Sequence, residues 1–71
     1  MPDIYFLYGG KPGEKPRYYR SYYKCCAILR DTQEEALPFY SKKDADSVRR
    51  ELHRYGYYMA IVKKGDSNGR E

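Results

Sequence analysis

The stretch 41–56, S-K-K-D-A-D-S-V-R-R-E-L-H-R-Y-G, carries a complete helix signature, and the reading of the fold starts from it. Ser41 has the hydroxyl with which an N-cap accepts a backbone N–H two or three residues on. Asp44 follows at the capping-box position. Asp44 and Asp46 put negative charge in the first turn, and Arg49, Arg50 and Arg54 put positive charge toward the end. Both arrangements suit the helix dipole. Tyr40, just before the cap, is placed to staple onto Ala45. Gly56 can turn left-handed and stop the helix, and in a Schellman ending Tyr57 folds back on Leu52.

The apolar positions Ala45, Val48, Leu52 and Tyr55 are spaced three, four and three, which makes one narrow stripe. Lys43, Ser47, Arg50 and Arg54 fall on the opposite face. So narrow a stripe makes no core alone, so the helix must lie on a sheet built from the remaining apolar residues.

Segment 3–8 places Ile4, Phe6 and Tyr8 on one side and Tyr5 and Leu7 on the other, and reads as a central strand. Segment 9–16, G-G-K-P-G-E-K-P, is a turn or loop. Segment 17–30 reads as one long strand. Tyr19, Ser21, Tyr23, Cys25, Ala27 and Leu29 form the side expected to meet the helix. Tyr18, Arg20, Tyr22, Lys24, Cys26, Ile28 and Arg30 form the other. A bulge near Cys25 and Cys26 would exchange these faces. The D-T-Q-E run at 31–34 is a polar hairpin turn, and 35–40 returns as a short edge strand because Pro38 has no ladder donor. Segment 57–63 is again apolar on both sides and reads as central. Segment 64–71 has no apolar residue.

The predicted fold class is α+β: a single four-stranded, mostly antiparallel sheet with one helix packed on one face, in the order β-β-β-α-β. It forms one domain over 1–63, followed by a flexible tail over 64–71. The first three strands are expected to form an antiparallel meander. A right-handed crossover is expected to bring the last strand beside the first and parallel to it. The sheet face away from the helix has no second layer, and surplus tyrosines are expected there.

The 71 residues bound the core tightly. Ordering a residue costs roughly 1.5 kcal/mol of conformational entropy, which nearly cancels the gain from burial at this size. Ten tyrosines, against two phenylalanines and no tryptophan, cannot all be interior. A Tyr ring buries well while its hydroxyl wants water or a partner, and surface Tyr is common at interfaces. The net charge of +4 and pI of about 9.1 favour an acidic partner, although many soluble domains carry as much. The longest apolar run is too short to span a bilayer. Residues 1–10 lack the features of a signal peptide. A cytoplasmic protein without a membrane partner is therefore expected. Cys25 and Cys26 are adjacent, fit no common disulfide framework, and are expected to be reduced.

Catalytic and metal motifs are not found. The 9–15 loop has no Gly-Lys-Ser/Thr triplet and leads into a strand, so it reads as a hairpin connection rather than a phosphate cradle. His53, the single histidine, lies off the apolar stripe with no nucleophile or orienting group in its pattern, and reads as a solvated helix residue. One His and an adjacent Cys pair give no familiar zinc spacing. Asp31, Glu34 and Glu35 are at home in a turn. The expectation is a protein without enzymatic activity, cofactor or metal.

The strongest remaining signal is a basic-aromatic run. Lys11, Lys15, Arg17, Arg20 and Lys24 set five positive charges against Glu14, with Tyr18, Tyr19, Tyr22 and Tyr23 threaded through. Bases stack on Tyr while Lys and Arg meet phosphates. Tyr and Arg equally anchor protein interfaces, and a solvated strand with half-buried tyrosines carries the same composition. The candidate partner surface is Lys11, Lys15, Arg17, Tyr18, Arg20, Tyr22 and Lys24. The outward helix ridge Lys43, Arg50 and Arg54 is a candidate second basic patch. Pairing of Asp46 with Arg50 or Lys42 would blunt it.

Exposed aromatics on a four-stranded sheet invite comparison with the RNA-recognition domain, but its two helices and its strand signature are missing. In size, β-β-β-α-β order and tyrosine-rich surface the chain resembles the small phage and mobile-element proteins of the anti-CRISPR type. That resemblance implies a steric inhibitor that occupies a site on a large CRISPR effector complex. It carries over no functional residue. The alternatives are a small nucleic-acid-binding module using a basic-aromatic sheet face, and a homodimer pairing through its open tyrosine face.

Overall fold

The computed structural model describes residues 3–24 and 26–64. Helix α1 spans Lys42–His53. Ser41 Oγ accepts from the backbone N–H of Lys43 at 3.1 Å and of Asp44 at 3.4 Å, which caps two of the free donors at the helix start. The other end closes as a Schellman motif. Gly56 sits at φ +92°, its N–H donates to the His53 carbonyl, and the N–H of Tyr57 donates to the Leu52 carbonyl, both at 3.1 Å. Both ends match the local sequence reading. The Tyr40–Ala45 staple does not form: Tyr40 is exposed, and its neighbour Phe39 is buried instead.

Four strands make one sheet: β1 (Tyr5–Gly10), β2 (Arg17–Tyr23), β3 (Cys26–Arg30) and β4 (Tyr58–Lys63). Their spatial order is β3-β2-β1-β4, and every neighbouring pair is antiparallel. The α+β class and the β-β-β-α-β order are as expected, but the membership of the strands differs. Segment 17–30 is a hairpin rather than one strand. Tyr23 pairs with Cys26, and the chain reverses at Lys24, which takes φ +48°. Lysine rarely adopts that conformation, so composition gave no turn signal.

Segment 35–40 is not a strand of the sheet. Gln33–Glu35 form a turn of 3-10 helix, and beyond it only Phe39 makes a ladder contact, an isolated bridge to Tyr5. The described β1–β2 register is short, Tyr8 with Tyr18 and Gly9 with Arg17. Where these strands part, the returning segment takes up their free groups. Leu37 N–H donates to the Tyr19 carbonyl at 3.0 Å, and Tyr5 and Phe39 exchange two bonds of 2.8 Å. This extra traverse reverses the direction in which the chain reaches β4. The last strand therefore lies beside β1, as expected, but antiparallel to it. β4 is also an edge strand, not a central one. Met59 is buried toward the helix, but Tyr58 and Ala60 on the opposite side are exposed, so apolar residues on both sides of a segment did not mean two strand neighbours.

The core lies between α1 and one sheet face. Leu7, Tyr19, Leu29, Phe39, Ala45, Leu52, Tyr57 and Met59 form it, with Val48 and Ile61 packed at its margin. Leu7 and Leu52 are fully enclosed, each contributing roughly 2 kcal/mol by removal from water. Gly9 permits the close approach of β4: a Cβ there would stand 2.1 Å from the Tyr58 carbonyl oxygen. The 64–71 tail lies outside the described residues except for Lys64, whose N–H donates to the Ile4 carbonyl at 2.7 Å.

Candidate nucleoprotein interface

The face of the sheet away from α1 has no second layer of helix or strand among the described residues. It is not bare. Phe6 is buried there, outside the helix-side cluster, and Tyr18 meets it edge-on with ring centroids 6.4 Å apart. The Tyr8 ring lies 4.7 Å from Tyr18, tilted by 50°. Val62 pairs with Phe6 and Ala60 with Tyr8 on β4, while Arg30 pairs with Tyr18 on β3.

The seven predicted surface residues do not share one face. The cause is a register shift between Tyr19 and Ser21, which leaves Arg20 unpaired in the ladder. Such a bulge swaps the faces beyond it. Tyr18 therefore stays on the open face, whereas Tyr22 pairs with Ala27 and sets its ring 5.5 Å from Tyr55 at the helix end. The exchange of faces that a bulge near Cys25 and Cys26 would have produced comes instead from one at Arg20. Arg20 is exposed at the bulge. Lys24 stands at the hairpin tip with its ammonium 5.3 Å over the Tyr23 ring. Lys11 lies 5.2 Å over the Tyr57 ring, at the rim of the helix side. Lys15 is exposed in the loop, and Arg17 is half-buried opposite Gly9.

Charge is distributed unevenly between the helix and the sheet. On α1, Asp46 holds Arg49 at 2.6 Å and Arg50 at 3.0 Å, and Glu51 holds Arg54 at 3.5 Å. The hydrogen bond from Arg49, helped by the nearby Arg50 charge, holds the Asp46 carboxyl below its ordinary value of 3.8. Within the predicted second patch, Arg50 and Arg54 are thus locally neutralised, and Lys43 is left at the helix start. By contrast, Lys11, Lys15, Arg17, Arg20, Lys24 and Arg30 have no carboxylate within 4.0 Å among the described residues. The four strands contain no Asp or Glu at all. Burial raises the pKa of the Tyr19 phenol, so this ring stays neutral in the core.

Tyr8 and Arg30 are the exposed residues of this face that the sequence reading left out, and Phe6 is the buried ring beneath them. Each had been assigned to a side of a strand. Their convergence with Tyr18 depends on strand pairing, which no local pattern encodes. Cys26 is a free, exposed thiol, and Cys25 lies outside the described residues. Among the described residues no three His, Cys, Asp or Glu side chains gather as a metal site would require. No helix of the described chain is long and apolar enough to cross a membrane. Comparison with protein-family models, curated protein sequences and solved structures finds no match to this chain.

Proposed function

We propose that this protein is a small non-enzymatic binding protein of the anti-CRISPR type, which docks on a CRISPR effector complex and sterically blocks it. The observation that carries this reading is the contrast between the two surfaces. Arginines on α1 are matched by carboxylates of the same helix, while among the described residues the cations from Lys11 to Arg30 have no such partner. Lys and Arg without a carboxylate partner among the described residues, set beside exposed Tyr at the loop, the bulge, the hairpin tip and the open face, suit an anionic partner. In a nucleoprotein effector the phosphate backbone of the guide RNA is such an anionic partner. A small protein seated there would exclude target DNA without any chemical step.

The test is co-elution. Tagged protein is mixed with purified CRISPR effector complexes of several types and run on a sizing column. The expected result is a stoichiometric complex with one type, together with loss of target-DNA binding by that effector. No co-elution with any of them would overturn the proposal.

A further inference from the structure

We infer that the cross-strand row Tyr8–Tyr18–Arg30 on the open sheet face is a binding site for single-stranded nucleic acid. This goes beyond inhibition of an effector, because it requires direct contact with bases and phosphates by the isolated protein.

The row follows from register. Ala60 pairs with Tyr8, Tyr8 with Tyr18, and Tyr18 with Arg30, so four neighbouring strands place these residues in one line. Neighbouring strands are about 4.8 Å apart, and the line is therefore roughly 14 Å long. Phe6 and Val62 form an apolar floor beside it. Ala60 is exposed and too small to cover the flank of Tyr8. A π surface is thus left open at one end of the line, and a guanidinium with no carboxylate partner among the described residues stands at the other. An unpaired base can stack on the tyrosines while its phosphate meets Arg30, with Arg20 exposed on the same strand as Tyr18.

Charge selects this occupant over the others. On this face the strands carry Arg30, with Arg20 exposed at the bulge, and no carboxylate, whereas Arg17 and Lys63 alternate to the other face and Lys63 pairs with Asp3 at 3.4 Å. A second copy of the chain would set a net charge of +4 against +4 across the face. An acidic peptide would satisfy the arginines but leave the tyrosine faces unused. A duplex would offer phosphates, but its bases are already stacked on one another. A single strand supplies both groups at once.

The experiment is fluorescence anisotropy with labelled oligothymidine and oligouridine of about 12 nucleotides, a length within the usual range for a stacking platform. A duplex and a polyglutamate peptide of equal charge serve as competitors. Both single strands are expected to bind at about 50 mM salt, more tightly than duplex or peptide, with affinity falling as salt rises. The double substitution Tyr8→Leu/Tyr18→Leu keeps apolar volume but removes the rings. It is expected to weaken binding by roughly 10-fold or more, as loss of stacking predicts. Arg30→Gln should reduce the salt slope by about 0.7. Absence of binding to either single strand, or equal binding by duplex or peptide, would overturn the inference. If the leucine variant loses its fold by circular dichroism, the wild-type competition and Arg30→Gln decide alone. Oligonucleotide binding without effector co-elution would remove the inhibitor reading and keep this site. Co-elution without oligonucleotide binding would do the reverse.

Discussion

The phenol oxygen of Tyr57 accepts the backbone N–H of Ala27 at 3.1 Å, across thirty residues of chain. The same residue closes the helix through its own N–H on Leu52. One side chain thus ties the exit of α1 to strand β3. Replacing Tyr57 by Phe keeps the ring and removes the acceptor, which leaves a partly buried N–H without its bond. The expected cost is about 1–3 kcal/mol in urea unfolding. Tyr40→Phe, at an exposed ring, is the control and should change stability by less than about 0.5 kcal/mol. Equal stability of the two variants would show that the Tyr57 bond contributes nothing.

Gly9 and Gly56 separate two reasons for glycine. At Gly9 an added Cβ collides with the Tyr58 carbonyl oxygen at 2.1 Å, and neither backbone can yield without breaking the β1–β4 ladder. At Gly56 nothing lies within 4 Å, and the cost of Ala is backbone conformation at φ +92° alone. Gly56→Ala should cost about 1 kcal/mol. Gly9→Ala should abolish cooperative unfolding in a domain of such small net stability. Circular dichroism melts of the two variants check the order, and a folded Gly9→Ala protein would contradict it.

Asp46 gives a pH dependence with a definite sign. Its carboxyl titrates below 3.8 in the folded chain because Arg49 and Arg50 favour the charged form. A depressed carboxyl pKa adds stability above the unfolded value, and that contribution is lost as pH falls through the folded value. Asp46→Asn should therefore lower the urea midpoint at pH 7, with the gap closing as the buffer is taken well below pH 4. A gap that persists unchanged in acid would assign the effect to something other than ionisation.

The two groups of cations predict opposite outcomes in effector binding. Reversing Arg20 and Lys24 to Glu should weaken co-elution while leaving the far-ultraviolet spectrum unchanged, since both side chains are exposed and lack ion-pair partners among the described residues. Reversing Arg50 and Arg54 should leave co-elution intact, because their charge is already matched by Asp46 and Glu51. Leu52→Asp should unfold the chain by burying an unpaired charge. Undiminished binding after the Arg20/Lys24 reversal would exclude the hairpin from the interface.

Features governed by neighbours a few residues apart were legible in the sequence. The Ser41 cap, the Gly56 stop and the fold of Tyr57 onto Leu52 all rest on bonds spanning two to five residues. The hairpin at Lys24 was not legible, because Lys-Cys lacks the residues that favour positive φ. Nor was the bulge at Arg20, since a register shift leaves no mark on the alternation until a partner strand is present. That shift is why Tyr22 left the predicted surface while Arg30 came opposite Tyr18, and Tyr8 joined them through the β1–β2 pairing.

By itself, then, the sequence determined one capped helix, enough β-forming residues for a four-stranded sheet, and a surplus of tyrosine and positive charge. Local hydrogen bonding and side-chain periodicity act within a few residues and need no partner. Only the tertiary structure decided that segment 36–39 fills the gap between β1 and β2, that β4 runs antiparallel at an edge, and which cations lack a carboxylate among the described residues. Those outcomes depend on pairings between residues far apart in the chain, whose energies exist only once the strands have met.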